Sequence, residues 1–216
     1  EDAADFAEVN TALIGGVLNG NEAVTITGDI TATNINTILN NTSGIVTATV
    51  SADTAANLKS NLTNADGSDA LTLTVTNTPT DAADLKALTG KTNQIIDVSA
   101  ITSTINGDAS ELIDVYVTNV AEYNGLGNES VTVDNVSSAA DTNTIADATS
   151  GAVTATIVSG AVTSTLNAIT NVDVNDVITF TTTDTSVDAS DLVDLSVKID
   201  NFTTTSINTI TETYNT

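Results

Sequence analysis

Short runs in which aliphatic residues alternate with threonine recur along the chain, the period-2 signature of strands with one dry and one wet face. They begin near Val24, Val46, Leu71 and Ile95, and again near Val131, Val153, Ile178 and Phe202. The pattern sends Val24/Ile26, Val46/Ala48/Val50, Leu71/Leu73/Val75 and Ile178/Phe180 inward. It turns Thr25/Thr27, Thr47/Thr49, Thr72/Thr74/Thr76 and Thr179/Thr181 to water. Successive starts lie 22 to 25 residues apart, apart from a gap of 36 between Ile95 and Val131. Segments with helix-start chemistry fall between them. Asp81-Ala-Ala-Asp84-Leu-Lys-Ala-Leu88 has an acid at the N-cap, a second acid three positions on, and Leu at i and i+3. Asp108-Ala-Ser-Glu111 and Asp188-Ala-Ser-Asp191 repeat the device. Asn40, Gly90 and Gly125 supply stops.

The second level of order is an internal repeat. At an offset of 107 residues, Thr42-Ser-Gly-Ile-Val-Thr-Ala-Thr49 aligns with Thr149-Ser-Gly-Ala-Val-Thr-Ala-Thr156 without a gap. Glu22 meets Glu129, Asp69 meets Asp176, Asp81-Ala-Ala-Asp-Leu85 meets Asp188-Ala-Ser-Asp-Leu192, and Lys91 meets Lys198. With one inserted residue, Asp2-Ala-Ala-Asp-Phe6 meets Asp108-Ala-Ser-Glu-Leu112. The chain reads as two copies of one unit, residues 1–107 and 108–216, the second continuous with the first.

Strand, turn, short helix, turn, at a period of about 24 residues, is the rhythm of a solenoid. Parallel strands joined through helices cross over right-handed almost without exception. The expected fold is therefore a right-handed β/α solenoid of stacked parallel strands. The alternative is a pair of all-β sandwich domains of about this size, against which the helix caps weigh. Solenoids need polar caps to stay soluble, and neither end of this sequence carries one. The expected partner is thus a neighbouring repeat, or another copy placed end to end.

Composition narrows the function. The sequence has no His, Cys, Met or Trp, and 4 Lys+Arg against 28 Asp+Glu, a formal charge of -24. Without His or Cys, the usual general base, thiolate nucleophile and soft metal ligands are missing. Nucleic acid and anionic membrane surfaces are repelled. No apolar run approaches the ~20 residues that span a bilayer, so membrane insertion is not expected. Divalent cations are the partners that such charge favours. Self-repulsion of this size costs least in brine, where the screening length shrinks to about 3 Å near molar salt.

The run Ile96-Asp-Val-Ser-Ala-Ile-Thr-Ser-Thr-Ile-Asn-Gly-Asp-Ala-Ser-Glu-Leu112, continued by Gly125-Leu-Gly-Asn-Glu-Ser-Val-Thr-Val133, resembles tandem repeats in giant cell-surface proteins of marine unicellular cyanobacteria. Those repeats carry similar "DAS", "GDAS-L" and "GLGNE-VTV" phrases, and the likeness extends over most of the chain through the internal repeat. Asp176-Val-Ile-Thr179 departs from the phrase. The resemblance implies an extracellular, cell-surface location and a structural role in a coat, stalk or filament, with no catalytic residues to carry over.

Candidate sites divide by chemistry. Acidic turns precede the strands at Glu22, Asp66/Asp69, Glu129 and Asp173/Asp176. Closely spaced oxygens on tight turns suit calcium, the one cofactor the sequence suggests; the competing reading is that Asp and Asn make turns by bonding their own backbone. Asp81/Asp84, Asp108/Glu111 and Asp188/Asp191 have the look of glycosidase carboxylate pairs, yet each sits at a helix start, where a carboxylate meets unpaired N–H groups. The sequence is therefore read as non-enzymatic. The Thr-x-Thr strands would present a lattice of hydroxyls and methyls, as on ice-binding solenoids, or simply the ordinary wet face of a strand. A calcium-dependent adhesin or an ice-binding module is accordingly the alternative function.

Overall fold

Strands fall where aliphatics and threonines alternate in the computed structural model, which describes residues 3–15 and 18–212. In chain order they are α1 (Ala3–Ile14), β1 (Val24–Ile30), α2 (Ala32–Leu39), β2 (Val46–Val50), α3 (Ala55–Asn61), β3 (Ala70–Thr72), β4 (Thr80–Asp81), α4 (Ala82–Thr89), β5 (Ile96–Asp97) and β6 (Ile105–Gly107). There follow α5 (Ala109–Ile113), a π-turn (Asp114–Thr118), a 3-10 turn (Val120–Glu122), β7 (Tyr123–Asn124), β8 (Val131–Ser137), α6 (Ala139–Ala148), β9 (Val153–Ile157) and α7 (Val162–Ala168). The last elements are β10 (Val177–Thr181), β11 (Ser186–Asp188), α8 (Ala189–Ser196), β12 (Asn201–Thr203) and β13 (Thr209–Thr211).

These elements form two compact units, one of Glu1–Ser103 with Asn119–Leu126, the other of Thr104–Thr118 with Gly127–Thr216. In the first, β1, β2 and β3 lie side by side in chain order, β1–β2 and β2–β3 pair parallel, and β5 pairs parallel with β7. In the second, β6, β8, β9, β10 and β12 follow one another through parallel pairs, and β11 pairs parallel with β13. The fold is mixed α/β with parallel sheets and no closed barrel. Intervening helices and parallel pairing rule out all-β sandwiches. Because the ladders are parallel, each strand must be followed by a crossover, and the short helices supply it.

The sequence repeat is a structural one. β8, β9, α7 and α8 begin and end 107 residues after β1, β2, α3 and α4. Even an irregularity is copied: the β1–β2 ladder shifts register between Thr25 and Asp29, and β8–β9 does so between Thr132 and Val136. The bulge in the first strand contains Gly28 at φ +81°, a conformation that suits glycine. Ile26 falls inside this shift, between Thr25 and Asp29, so, although expected inside, it is only half-buried.

Each core is aliphatic. Val46, Ala48 and Val50 of β2 alternate with exposed Thr47 and Thr49. Ile35, Ile38, Leu58, Leu85 and Leu88 on the helices of the same unit are fully buried, each contributing about 1.5–3 kcal/mol of burial free energy. Where the second copy departs from aliphatic residues, it compensates. Ile30 and Ile35 become Ser137 and Thr142, both buried, and their hydroxyls hydrogen-bond each other at 2.7 Å.

Candidate functional site

The six acids of the candidate calcium turns occupy one recurring device. In the turn Asp66-Gly-Ser-Asp69 ahead of β3, the Asp66 carboxylate accepts the Ser68 N–H at 2.8 Å and its hydroxyl at 2.5 Å. Asp69, 4 % exposed, accepts the Asp66 N–H through Oδ2 at 3.1 Å and the Val46 N–H through Oδ1 at 2.9 Å. Its carboxylate therefore closes its own turn and ties it to the strand 23 residues earlier. The second copy reproduces both bonds: Asp176 accepts from Asp173 N–H at 3.0 Å and Val153 N–H at 2.8 Å, and Asp173 accepts the Asn175 N–H at 2.7 Å. Charge-assisted bonds of this kind are about twice as strong as neutral ones.

Glu22 and Glu129 hold the other turns. The Glu22 carboxylate gathers the N–H groups of Asn19, Gly20 and Asn21 at 2.7, 2.9 and 3.1 Å. These donors, Asn19 foremost, hold its carboxyl below the ordinary carboxylate range. Glu129, 2 % exposed, accepts the N–H of Gly127 at 2.9 Å and of Asn128 at 3.2 Å, together with the Tyr116 hydroxyl at 3.2 Å. Burial first, and then the neighbouring Glu129 charge, push the Tyr116 phenol well above its usual range.

A second fastening lies on the carbonyl side of the same two glutamates, on residues that strand and cap reasoning passed over. The Thr42 hydroxyl donates to the Glu22 carbonyl at 2.5 Å and accepts the Gly44 N–H at 3.0 Å, while the Ser43 N–H donates to the Gly20 carbonyl at 2.8 Å. Thr149, Gly151 and Ser150 make the same three bonds to Glu129, Thr149 and Gly127, at 2.8, 3.0 and 2.8 Å. A Cβ on Gly44 or Gly151 would land on the Glu22 or Glu129 carbonyl, so only glycine fits this approach. The signal was present in the repeated Thr-Ser-Gly triplet. Lys198 adds a clamp, its ammonium donating to the carbonyls of Ile169 and Val172 at 3.0 and 3.1 Å.

The structure thus joins Asp66 with Asp69 and Asp173 with Asp176, and gives Glu22 and Glu129 separate turns. Each of these carboxylates accepts at least one backbone N–H, and the Glu129 Oε1 is buried without a hydrogen-bond partner. Among the described residues no group of three or more acidic side chains is placed to hold a metal ion.

The carboxylate pairs at helix starts are caps. Asp81 accepts the Ala83 N–H at 2.8 Å, Asp188 accepts the Ser190 N–H at 2.9 Å, and Glu111 reaches back to the Asp108 N–H at 3.1 Å. Asp84 is paired with Lys59 at 2.6 Å. The depression beside Asp81 and Asp84 holds about 200 Å³, below the ~300–1,000 Å³ of typical small-molecule sites. On the wet faces, threonines align only in part. Thr25 stands opposite Thr47 and Thr49 opposite Thr72, but Asp29 stands opposite Thr49 on its other side and Ala70 opposite Thr47. Thr156 pairs with Thr179, whereas Thr154 meets Val177 and Thr179 meets Asn201. No threonine row runs unbroken across either sheet.

No protein-family model matches the chain, and no curated protein and no solved structure matches it.

Proposed function

We propose that this chain is a non-catalytic, extracellular structural repeat, a length of right-handed β/α solenoid that spaces or builds a cell-surface coat, stalk or filament. The observation that carries this reading is the recurrence of one set of fastenings at a fixed interval. Asp69 and Asp176 each reach 23 residues back to a strand N–H, and Thr42 and Thr149 each reach 20 residues back to a glutamate carbonyl. Bonds of that reach join one winding to the next. Interrupted threonine rows favour the structural reading over ice binding. The acidic composition and the resemblance to cyanobacterial surface repeats support the location.

Two experiments test it. Inserting one further 107-residue period after residue 130 should lengthen the particle in small-angle scattering by about 20 Å, four to five strand spacings, at constant cross-section. A particle that swells equally in all directions overturns the solenoid. Antibody against the chain should label intact, unpermeabilised source cells; signal only after permeabilisation overturns the surface assignment.

A further inference from the structure

The two copies part company in charge where neighbouring helices meet. In the first unit, Lys59 on α3 reaches across to Asp84 on α4, its ammonium 2.6 Å from the carboxylate. At the offset of 107 residues, Asp84 is kept as Asp191 on α8, but Lys59 becomes Leu166 on α7. Ala87 becomes Asp194, and Gly90 becomes Val197. The acid that meets an ammonium in the first unit has lost it in the second, and has gained another acid and two aliphatic neighbours.

Between α7 and α8, both in the second unit, lies a groove of about 300 Å³ whose walls include Thr163, Leu166, Asp191, Asp194, Val197 and Lys198. That volume reaches the lower end of the ~300–1,000 Å³ of small-molecule sites. Its lysine is held elsewhere: the Lys198 ammonium donates to the carbonyls of Ile169, Thr170 and Val172 at 3.0, 3.4 and 3.1 Å. Asp191 accepts the Thr163 hydroxyl through Oδ2 at 2.6 Å. Among the described residues neither Asp191 nor Asp194 forms an ion pair. Leu166 is half-buried and Val197 is 58 % exposed, so the groove sets aliphatic surface beside carboxylates that lack a cation.

We propose that this groove binds a linear aliphatic diamine, one ammonium on Asp191, the other on Asp194, and the methylene stem along Leu166 and Val197. The first unit supplies the precedent, because there the chain's own alkylammonium, Lys59, sits on the equivalent acid. Asp191 and Asp194 are neighbours on one helix face, with Cβ atoms about 5–6 Å apart, a span that a stem of about four or five methylenes bridges. Inorganic divalent ions carry the charge but no stem, and two carboxylates fall short of the six to eight oxygens that calcium takes. Ion pairs this open to water are weak and screened by salt, so binding is millimolar and strongest at low ionic strength. A structural repeat can carry such a site on its flank, and the site stands or falls without reference to the solenoid.

Methyl NMR of the 216-residue chain, titrated with cadaverine at constant low ionic strength, tests the assignment. The Leu166 and Val197 methyl signals should shift and saturate together. Asp194→Asn removes one ammonium partner and should weaken binding by about two- to fivefold. Leu166→Lys gives the second groove the side chain that the first already holds, and the saturable shift at Val197 should disappear. Asp147→Asn, an equal loss of charge at an exposed position of α6, should bind like wild type. Pentylamine, with a single ammonium, should bind more weakly than the diamine. Circular dichroism checks each fold, and where Leu166→Lys does not fold, Asp194→Asn decides. Shifts that never saturate, that magnesium chloride of equal charge reproduces, or that persist unchanged in the folded variants overturn the proposal. So does Asp147→Asn weakening binding as much as Asp194→Asn, or pentylamine binding as tightly as cadaverine.

Discussion

Asp69 and Asp176 are acids in positions where burial ordinarily excludes charge, 4 % and 6 % exposed. They are tolerated because each carboxylate accepts two backbone N–H groups, one in its own turn and one in the preceding strand. Replacing Asp69 by Ala leaves the Val46 N–H buried without its partner. The expected loss is about 2–3 kcal/mol of unfolding free energy, read by urea denaturation, with Asp176→Ala behaving alike. A loss no larger than that of an exposed substitution would show that the staple carries no weight. At this scale the sequence was ambiguous for a physical reason. An Asp followed at close spacing by another Asp is compatible with a cation or with the backbone, and only the positions of the N–H groups decide which.

Among the elements, capping is where the two copies differ most instructively. Thr31 and Ser138, equivalent residues, cap α2 and α6 by accepting the N–H of Asn34 and Asp141 at 3.3 and 3.0 Å. Thr54 caps α3 through the Asn57 N–H at 3.2 Å. Its counterpart Ala161 has the same extended backbone, φ -80° and ψ 141°, but no side chain able to accept. Ala161→Thr should raise unfolding free energy by about 1 kcal/mol, measured by chemical denaturation. No gain would mean that Asp184, which already accepts the Val162 N–H at 2.8 Å, leaves the helix start with nothing to recover. Helix starts at Asp81, Asp108 and Asp188 were legible in the sequence because a cap is a local event. The pairing of β5 with β7 was not, since two-residue strands carry no periodicity.

For the molecule as a whole, the charge balance governs the response to ions. With 28 acidic residues against 4 basic ones, and many carboxylates already holding backbone donors, added ions should act by screening rather than by occupying a site. The melting temperature should climb from low to molar sodium chloride. Chelation of divalent cations at fixed ionic strength should leave it unchanged. A fall on chelation, reversed by calcium alone, would identify the acidic turns as a metal site.

Alternation of aliphatic and threonine residues, helix-cap acids and the 107-residue period were sufficient to establish parallel strands, intervening helices and two equivalent copies, because each is set by short-range geometry or by self-similarity. Tertiary structure alone decided the rest: the direction of each buried carboxylate, the compensation of Ser137 by Thr142, and the pairing of β5 with β7. The carboxylates and β5 depend on which N–H or strand arrives from some two dozen residues away, and Ser137 on which face the following helix turns toward it. Spacing along the chain does not encode that meeting.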